Sequence, residues 1–243
     1  MDNTLYVGLS RQLTLQRSLD ITANNMANLD TVGFKVEALT VQTDPLTPAI
    51  APASNPLGYV LDNGVTRNFA QGGIEQTGNP LDVAIDGDGF FTVQTPNGNR
   101  YTRDGRFGLN TQNQLVDHQG DLVLSSGGAP IAVDPQKPDI SISKDGTVSQ
   151  TGTVVGKIGV FRFADRSVLS KQGDNLYDAP GVTPTASTNA HLVQRAIEHS
   201  NVQPISEITN LIAITRAYDQ VTQMISSTQD LSDSAIQRLG KAA

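Results

Sequence analysis

The spacing of apolar residues changes twice along the 243-residue chain, and this constrains the fold more than any other feature. At both ends the apolar residues recur every three to four positions, the period of an amphipathic α-helix. From about Val60 to Tyr177 they alternate in short runs separated by turn dipeptides such as Asn97-Gly98 and Asp145-Gly146, which predicts antiparallel β-hairpins. We therefore expect an α+β protein with helical ends and an inserted all-β domain of antiparallel hairpins.

The first helix is predicted to run from Thr4 to about Asn28, where Asn28, Asp30 and Gly33 supply stop signals. At 100° per residue its apolar side chains fall within an arc of about 160°. The residues of this arc are Leu5, Leu9, Leu13, Leu15, Leu19, Ala23, Met26 and Ala27. This arc is the predicted contact face of the helix.

The last helix is predicted to begin at Pro204 and to span about 35 residues, or roughly 50 Å. One face has a heptad-like spacing of three and four, and its residues are Leu211, Ile214, Tyr218, Val221, Ile225, Thr228, Ser232, Ala235 and Leu239. One small β-domain cannot cover a helix of this length, so we predict that the two terminal helices pair as a coiled-coil stalk. The alternative is that both helices pack flat on the sheet. Unpaired faces of this kind would associate between molecules, so the pattern also predicts self-assembly.

These patterns divide the chain into three parts. Residues 1–35 and 200–243 form a discontinuous terminal helical domain, residues 36–59 a proline-rich linker or arm, and residues 60–199 a β-rich outer domain. The linker is predicted because proline prevents both helix continuation and a central strand. Its prolines are Pro45, Pro48, Pro52 and Pro56.

Composition excludes several classes of function. The chain has 17 Lys and Arg against 24 Asp and Glu, and it contains no cysteine. An acidic chain without a basic cluster predicts no nucleic-acid partner, and the lack of cysteine excludes disulfides, Cys-ligated zinc and thiol catalysis. No apolar run approaches the roughly 20 residues that span a bilayer, so we expect no membrane insertion. The amino terminus lacks the apolar segment of a cleavable signal peptide.

The densest carboxylate cluster is formed by Asp82, Asp86 and Asp88. A metal site or a glycosidase acid/base pair at Asp86 and Asp88 is one interpretation, but Asp with Gly between apolar runs is the usual composition of a turn. The histidines do not have the spacing of a zinc motif; they are His118, His191 and His199. We predict no enzyme: no catalytic residue, no metal, no cofactor and no small-molecule substrate.

Arginines recur in a short stretch of the middle segment. Arg100, Arg103 and Arg106 alternate with Tyr101 and Phe107. Because Asp104 interrupts the stretch and the chain is acidic, we predict a solvated hairpin face rather than a nucleic-acid strip.

Motifs in three separated parts of the chain carry a more specific signal. Residues 24–35 read NNMANLDTVGFK, and residues 198–202 read EHSNV, followed by RAY at 216–218. Between them, residues 81–91 read LDVAIDGDGFF and residues 101–107 read YTRDGRF. In this order they resemble the signatures of the rod and hook proteins of the bacterial flagellum, N-N-x-A-N-x-x-T-x-G-[FY]-[KR] and E-x-S-N-V.

The resemblance implies a structural subunit of the basal-body rod. Such a subunit assembles helically into a hollow drive shaft that crosses the periplasm, transmits torque and forms the wall of the export channel. The implied partners are other copies of the chain, neighbouring rod proteins and the flagellar type III export apparatus, with export that leaves no cleaved signal peptide. The size of the middle segment and the run GDNLY at 173–177 favour the proximal rod over the distal rod.

A secreted β-rich glycan-binding module remains the alternative from another class. Sugars are usually held by stacked aromatic rings, and the chain has 5% aromatic residues and no tryptophan.

The motifs also have a local interpretation. The side-chain amides of Asn24, Asn25 and Asn28 are predicted to serve the orphan carbonyls of the last helical turn, and Gly33 to permit a reversal before Phe34 anchors the chain. Ser200 and Asn201 are predicted to cap the last helix. The residues that we predict to carry assembly are Leu5, Leu9, Leu13, Leu19, Asn24, Asn25, Asn28, Thr31, Gly33, Phe34, Ser200, Asn201, Val202, Leu211, Ile214, Arg216, Tyr218, Val221 and Ile225.

Overall fold

The computed structural model describes residues 2–46, 57–137 and 139–241. The helices in these ranges are α1, Asp2–Ala27, and α2, Pro204–Lys241. The first two strands are β1, Glu37–Leu46, and β2, Leu57–Arg67. The strands between Ile74 and Glu198 are β3 Ile74–Gln76, β4 Val83–Asp86, β5 Phe90–Thr95, β6 Gly98–Thr102, β7 Gly108–Leu109, β8 Leu115–Val116, β9 Leu122–Val123, β10 Ile140–Ile142, β11 Thr147–Gln150, β12 Thr153–Lys157, β13 Val160–Arg162, β14 Ser170–Lys171, β15 Tyr177–Asp178, β16 Thr185–Ala186, β17 His191–Gln194 and β18 Ala196–Glu198.

The described residues divide into two compact units. Unit 1 comprises those of Met1–Ala27, Glu37–Asn68 and Gln203–Ala243, and unit 2 those of Asn28–Val36 and Phe69–Val202. Unit 1 therefore contains α1, α2 and the β1–β2 pair, and unit 2 contains the other strands. The short segment that follows α1 belongs to unit 2.

In unit 1, α1 packs against α2 and also against β1 and β2. The face that it buries differs from the predicted contact face. Leu9 and Leu13 are 48% and 63% exposed, whereas Leu15 is 5% exposed. Between Leu5 and Ala27, the other buried residues of α1 are small or polar: Gly8, Thr14, Thr22 and Asn25.

The predicted coiled-coil stalk is therefore wrong, although helical ends and a β-rich middle agree with an α+β protein. A coiled coil requires apolar residues at the facing positions of both helices. Here a Cβ atom added at Gly8 would lie 3.0 Å from Ile225 Cγ1, so the close approach of α1 and α2 depends on a missing side chain. Gly8 and Thr14 are buried, so Leu9 and Leu13, which directly neighbour them in the chain, lie on the exposed side of α1.

On α2 the less exposed positions follow the predicted spacing. Its half-buried residues include Leu211, Ile214, Tyr218, Val221 and Ile225. A separate group of large apolar side chains on the same helix is exposed, namely Ile205, Ile208, Ile212, Met224, Leu231 and Ile236.

The segment predicted as a linker or arm contains regular structure at both of its ends. β1 and β2 pair antiparallel, from Glu37 opposite Arg67 to Leu46 opposite Leu57, with an irregularity between Leu39 and Val41. Pro45 lies within β1; both strands of a two-stranded ribbon are edge strands, where proline is tolerated. The other predicted linker prolines, Pro48, Pro52 and Pro56, lie outside the described residues.

The strands that the structure describes in unit 2 are antiparallel and form four sheets. The largest has the order β14-β15-β6-β5-β9-β8-β7, with β13 pairing with both β5 and β16. Smaller sheets are β10-β11-β12, β17-β4 and β18-β3. Four consecutive residues of β5, from Phe90 to Val93, are buried, which indicates that both faces of this strand are covered.

Two hydrophobic clusters stabilise unit 2. The larger is aliphatic in character, with two phenylalanines; its members are Val83, Ile85, Phe91, Val93, Phe107, Leu115, Val123, Ile131, Ile142, Val148, Ile158 and Leu192. The smaller is mainly aromatic, and its members are Phe69, Phe90, Tyr101, Phe163, Leu169 and Tyr177. Edge-to-face contacts join these rings, with centroids 4.8 Å apart for Tyr101 and Phe163.

Candidate assembly site

One charged residue from each of the three motif-bearing parts of the chain contributes to a buried group of charges in unit 2. Lys35 ends the first motif, Arg103 lies in the YTRDGRF motif and Glu198 begins the EHSNV motif. Lys35 Nζ lies 2.5 Å from Glu198 Oε1, and Arg103 Nη1 lies 2.9 Å from Glu198 Oε2. The side chains of Lys35 and Glu198 are fully buried, and that of Arg103 is 3% exposed. One carboxylate therefore balances two buried cations.

Hydrogen bonds join the first and last motifs directly. The Gly33 amide donates to the Glu198 carbonyl oxygen at 2.7 Å, and the Asn201 amide donates to the Phe34 carbonyl oxygen at 3.3 Å. The Asn201 side chain accepts from the Val36 amide at 2.8 Å. We call residues 33–36, Arg103 and residues 198–201 the motif junction.

Gly33 is required at the motif junction for two reasons. Its φ is +71°, a left-handed conformation that favours glycine. A Cβ atom there would also lie 2.7 Å from the Arg103 carbonyl carbon and 2.8 Å from the Asp104 nitrogen. The predicted reversal at Gly33 thus also brings two backbones together. Phe34, which follows it, is 1% exposed, and the Lys171 ammonium lies 4.5 Å from its ring centroid.

The charges of the motif junction have further partners. Lys35 Nζ donates to the Ala70 carbonyl oxygen at 2.8 Å, and Glu198 Oε1 accepts from the Gly72 amide at 2.9 Å. Burial lowers the pKa of the Lys35 ammonium from its ordinary value, while the Glu198 carboxylate acts in the opposite direction. Because every charge has an opposite charge within hydrogen-bonding distance, the group can remain ionised inside the protein.

Arg103 was predicted on a solvated hairpin face, and this prediction is wrong. Its Nη2 donates to the Gly87 carbonyl oxygen at 2.8 Å, and its guanidinium lies 5.4 Å from the centroid of the Phe90 ring. The DGDG sequence at 86–89 therefore presents backbone oxygen to a buried cation, while the carboxylates of Asp86 and Asp88 are exposed. Asp88 pairs with Arg166 at 2.8 Å.

Ser200 and Asn201 do not cap α2, contrary to our prediction. The Ser200 hydroxyl accepts from the Val202 amide at 3.3 Å, and Asn201 Nδ2 donates to the Ala70 carbonyl oxygen at 2.9 Å. The helix begins later, at Pro204. Its first turn instead contains the hydrogen bond from the Glu207 amide to the Gln203 carbonyl oxygen.

Asn25 connects three elements of unit 1. Its side chain donates to the Glu37 carbonyl oxygen at 2.8 Å and accepts from the Glu37 amide at 3.0 Å. It also donates to Glu207 Oε2 on α2 at 3.1 Å. Asn25 therefore binds β1 and α2, whereas we predicted that it serves carbonyls of its own helix. Asn24 Nδ2 lies 3.4 Å from Glu37 Oε2.

The other predicted residues are distributed over both units. The Thr31 hydroxyl donates to Asn28 Oδ1 at 3.0 Å, and Val202 is buried. In unit 1, Tyr218 accepts from Gln12 Nε2 at 3.0 Å, and Arg216 is exposed. Leu5 and Leu19 are half-buried. The structure thus places part of the predicted set in unit 2, at the motif junction and in the residues that flank it, and the rest on the helices of unit 1.

Sequence reasoning missed Lys35, Arg103 and Glu198 as a functional group. All three lie within the motifs, so the sequence did contain a signal. It consists of two cationic residues and one anionic residue inside the motifs that identify the family. It was not used because exposed charges are far more common than buried ones. Which charges meet depends on contacts between distant segments, such as the hydrogen bond from the Gly33 amide to the Glu198 carbonyl oxygen.

The candidate catalytic groups have ordinary structural partners. Asp82 accepts from Thr77 Oγ1 at 2.6 Å and from Asn79 Nδ2 at 2.8 Å. His118 Nδ1 lies 3.6 Å from Asp104 Oδ2, and His199 pairs with Glu75. Within the described ranges, His, Asp and Glu do not form a group of three or more that could hold a metal ion. Neither α1 nor α2, as far as the structure describes them, is long and apolar enough to cross a membrane.

For the glycan-binding alternative, we considered a cleft of about 400 Å³ in unit 2 as the sugar-binding site. Its lining is aliphatic and polar, and consists of Ser126, Asp145, Lys157, Ile158, Val160, Ala186, Ser187, Thr188, Ala190, His191 and Leu192. None of these side chains offers a Phe or Tyr ring for stacking on a sugar.

Three family models match separate parts of the chain. "Flagella basal body rod protein" matches residues 5–35, "Flagellar hook protein FlgE/F/G D1 domain" matches residues 84–150, and "Flagellar basal body rod FlgEFG protein C-terminal" matches residues 193–238. These ranges include all of the first motif, most of LDVAIDGDGFF, all of YTRDGRF, and all of EHSNV and RAY.

Full-length relatives show the same similarity. The chain is 51% identical to "Flagellar basal-body rod protein FlgF" of Caulobacter vibrioides, over 99% of both chains. It is 36% identical to the protein of the same name from Mesorhizobium japonicum, again over 99% of both chains. Identity to "Flagellar basal-body rod protein FlgG" of Bacillus subtilis is 32%, over 95% of this chain and 97% of that protein.

Proposed function

We propose, because this chain belongs to the family of flagellar basal-body rod proteins, that it is a structural subunit of the rod. One observation carries the proposal: 51% identity to a FlgF protein over 99% of both chains. Such a role is structural rather than enzymatic, and it consists of binding other rod subunits. The subunit lies in the basal body, where it contacts other components of the rod.

We place the subunit in the proximal part of the rod. The support is that identities of 51% and 36% are to proteins named FlgF, whereas the FlgG protein of Bacillus subtilis is 32% identical. We also propose that copies stack helically into a hollow shaft that transmits torque and forms the wall of the export channel. Export by the flagellar type III apparatus is proposed from the family resemblance.

Exposed apolar side chains on both helices favour subunit contacts through unit 1. Leu9 and Leu13 project from α1, and Ile205, Ile208 and Ile212 project from α2. Large apolar side chains that remain exposed together commonly mark a protein interaction surface. In the proposed assembly these side chains contact neighbouring rod subunits.

Electron microscopy of basal bodies tests the proposed function. A strain deleted for this gene is compared with the same strain carrying a plasmid copy. We expect the deletion strain to form basal bodies that lack the rod beyond the inner-membrane ring, and the plasmid to restore the rod. Normal rods and hooks in the deletion strain would contradict the axial role. If the deletion strain builds the proximal part of the rod and lacks only the distal part, the result would place the subunit in the distal rod instead.

A further inference from the structure

The motif junction contains two stretches that lie where the chain passes from unit 2 to unit 1, and we call them the exit stretches. Residues 33–36 immediately precede β1 at Glu37, and residues 198–201 shortly precede the start of α2 at Pro204. Hydrogen bonds between Gly33 and Glu198 and between Asn201 and Phe34 keep these stretches side by side. The conformation of the motif junction therefore fixes the positions in unit 2 from which the chain continues into β1 and α2.

Glu198 has a position in this junction that no other described residue shares. Its carboxylate contacts both Lys35 and Arg103, and its backbone oxygen accepts from Gly33. Removing the carboxylate charge would leave two buried cations near one another without a counter-ion. Two such charges repel each other and cannot be hydrated without opening the structure.

We propose that Glu198 is a positioning residue for rod assembly, which acts by holding the two exit stretches of unit 2 together through Lys35 and Arg103. This inference rests on the proposed function. It concerns the negative charge of Glu198 rather than its volume. The Glu198→Gln substitution isolates the charge, because glutamine has nearly the same shape and retains a side-chain oxygen that can accept from the Gly72 amide.

Thermal unfolding of the full chain tests the charge requirement. Breaking a buried ion pair from one side is strongly destabilising, so we expect Glu198→Gln to lower Tm by about 10 °C. Lys35→Met in the native chain should also lower Tm, because Glu198 loses one partner. In the Glu198→Gln background, Lys35→Met should instead raise Tm, since it removes an unpaired buried cation. If Glu198 acted through packing alone, Lys35→Met would not lower Tm in the native chain and raise it in the Glu198→Gln background.

Glu75→Gln is the matched control. Glu75 lies on β3, next to β18, and its exposed carboxylate pairs with His199. An exposed pair contributes little to stability, so the control should shift Tm by less than about 2 °C. If Glu198→Gln behaves like this control, or if Lys35→Met lowers Tm in both backgrounds, the charge requirement is wrong.

Hydrogen exchange and motility test positioning. At a temperature well below Tm, amides of residues 33–36 and 198–201 in Glu198→Gln should exchange at least about ten-fold faster, while those of β5 keep their native rates. The swarm diameter should fall with Glu198→Gln and recover in part with Lys35→Met added. Faster exchange with a normal swarm diameter would overturn the positioning role and leave the proposed function intact. The proposed function fails separately if the deletion strain builds normal rods.

Discussion

At the scale of single residues, polar and charged groups hold distant parts of each unit together. Asn25 connects α1 with β1 and α2 in unit 1, and Glu198 connects Lys35 with Arg103 in unit 2. Both residues are about 1% exposed. Burial makes such groups strongly dependent on their partners, because an unpaired polar group inside a protein loses its hydration without compensation.

Gly33→Ala should destabilise unit 2 far more than the matched substitution Gly128→Ala. Both glycines have left-handed φ values, +71° and +79°, and this conformation alone costs alanine about 1 kcal/mol. A Cβ at Gly33 would also collide with the backbone of Arg103, whereas none of the described atoms lies within 4 Å of one at Gly128. We expect a loss of several kcal/mol, on the order of 3, for Gly33→Ala. Urea unfolding of both variants measures the difference, and equal losses would contradict it.

Asn25→Ala should lower the free energy of unfolding of unit 1 by about 2–3 kcal/mol. The substitution leaves the Glu37 amide and carbonyl without the side chain that binds both. Asn25→Asp should be at least as harmful, since a carboxylate cannot donate to Glu37 and would face Glu207 Oε2. Circular dichroism at 222 nm during urea unfolding reports this loss. Asn24→Ala is the control, and a loss as large as that of Asn25→Ala would show that Asn25 has no special role.

At the scale of secondary structure elements, α1 presents two chemically different faces. The buried face consists mainly of small and polar residues with Leu15, and the other face exposes Leu9 and Leu13. Helices approach closely where side chains are small, so Gly8 allows a contact with Ile225 of α2 that leucine would prevent. The larger leucines remain available for a second partner, which in the proposed assembly is another rod subunit.

Leu13→Ser should therefore impair assembly without affecting stability, whereas Leu15→Ser should reduce the stability of the isolated chain. Leu15 is 5% exposed, so its loss should reduce the stability of the isolated chain by about 2–5 kcal/mol. Leu13 is 63% exposed, so Leu13→Ser should leave Tm nearly unchanged but reduce incorporation into rods. Differential scanning calorimetry and basal-body immunoblots measure the two effects. Normal incorporation of Leu13→Ser would remove this leucine from the assembly surface.

At the scale of the whole molecule, the two units differ in how much apolar surface they bury. Unit 2 contains both hydrophobic clusters, with residues such as Val83, Phe91 and Val123 fully buried. In unit 1, α2 is 38 residues long, and its exposed residues include Leu231 and Ile236. Burial of apolar area is the main stabilising contribution to folding, so unit 1 should be the less stable of the two.

We expect the isolated chain to unfold in two steps, with unit 1 first. Hydrogen exchange of the dilute monomer should be fastest in the second half of α2 and slowest in β4 and β5. Assembly should protect α1 and α2, because their exposed apolar faces then gain partners. Uniform protection of α2 in the monomer, or one transition followed by all probes, would show that the helices do not depend on assembly.

Some features followed from sequence because they depend on neighbours in the chain. A period of three to four predicted helices at both ends, and α1 and α2 lie there. Turn dipeptides and short apolar runs predicted the strand-rich middle, as in Phe90–Thr95 and Ile140–Ile142. The motifs indicated the family, and comparison with a relative over 99% of the chain confirmed it.

Other features were decided only by tertiary structure. Leu9 and Leu13 have the same local pattern as buried leucines, but the packing of α1 against α2 and the β1–β2 hairpin selected the face with Gly8 and Leu15. Lys35, Arg103 and Glu198 are far apart in the chain, and the folding of unit 2 brings them within hydrogen-bonding distance. Sequence therefore determined which elements form and to which family the chain belongs, since periodicity, turns and motifs are local. Tertiary structure decided which face is buried and which charges meet, because these depend on contacts between distant residues.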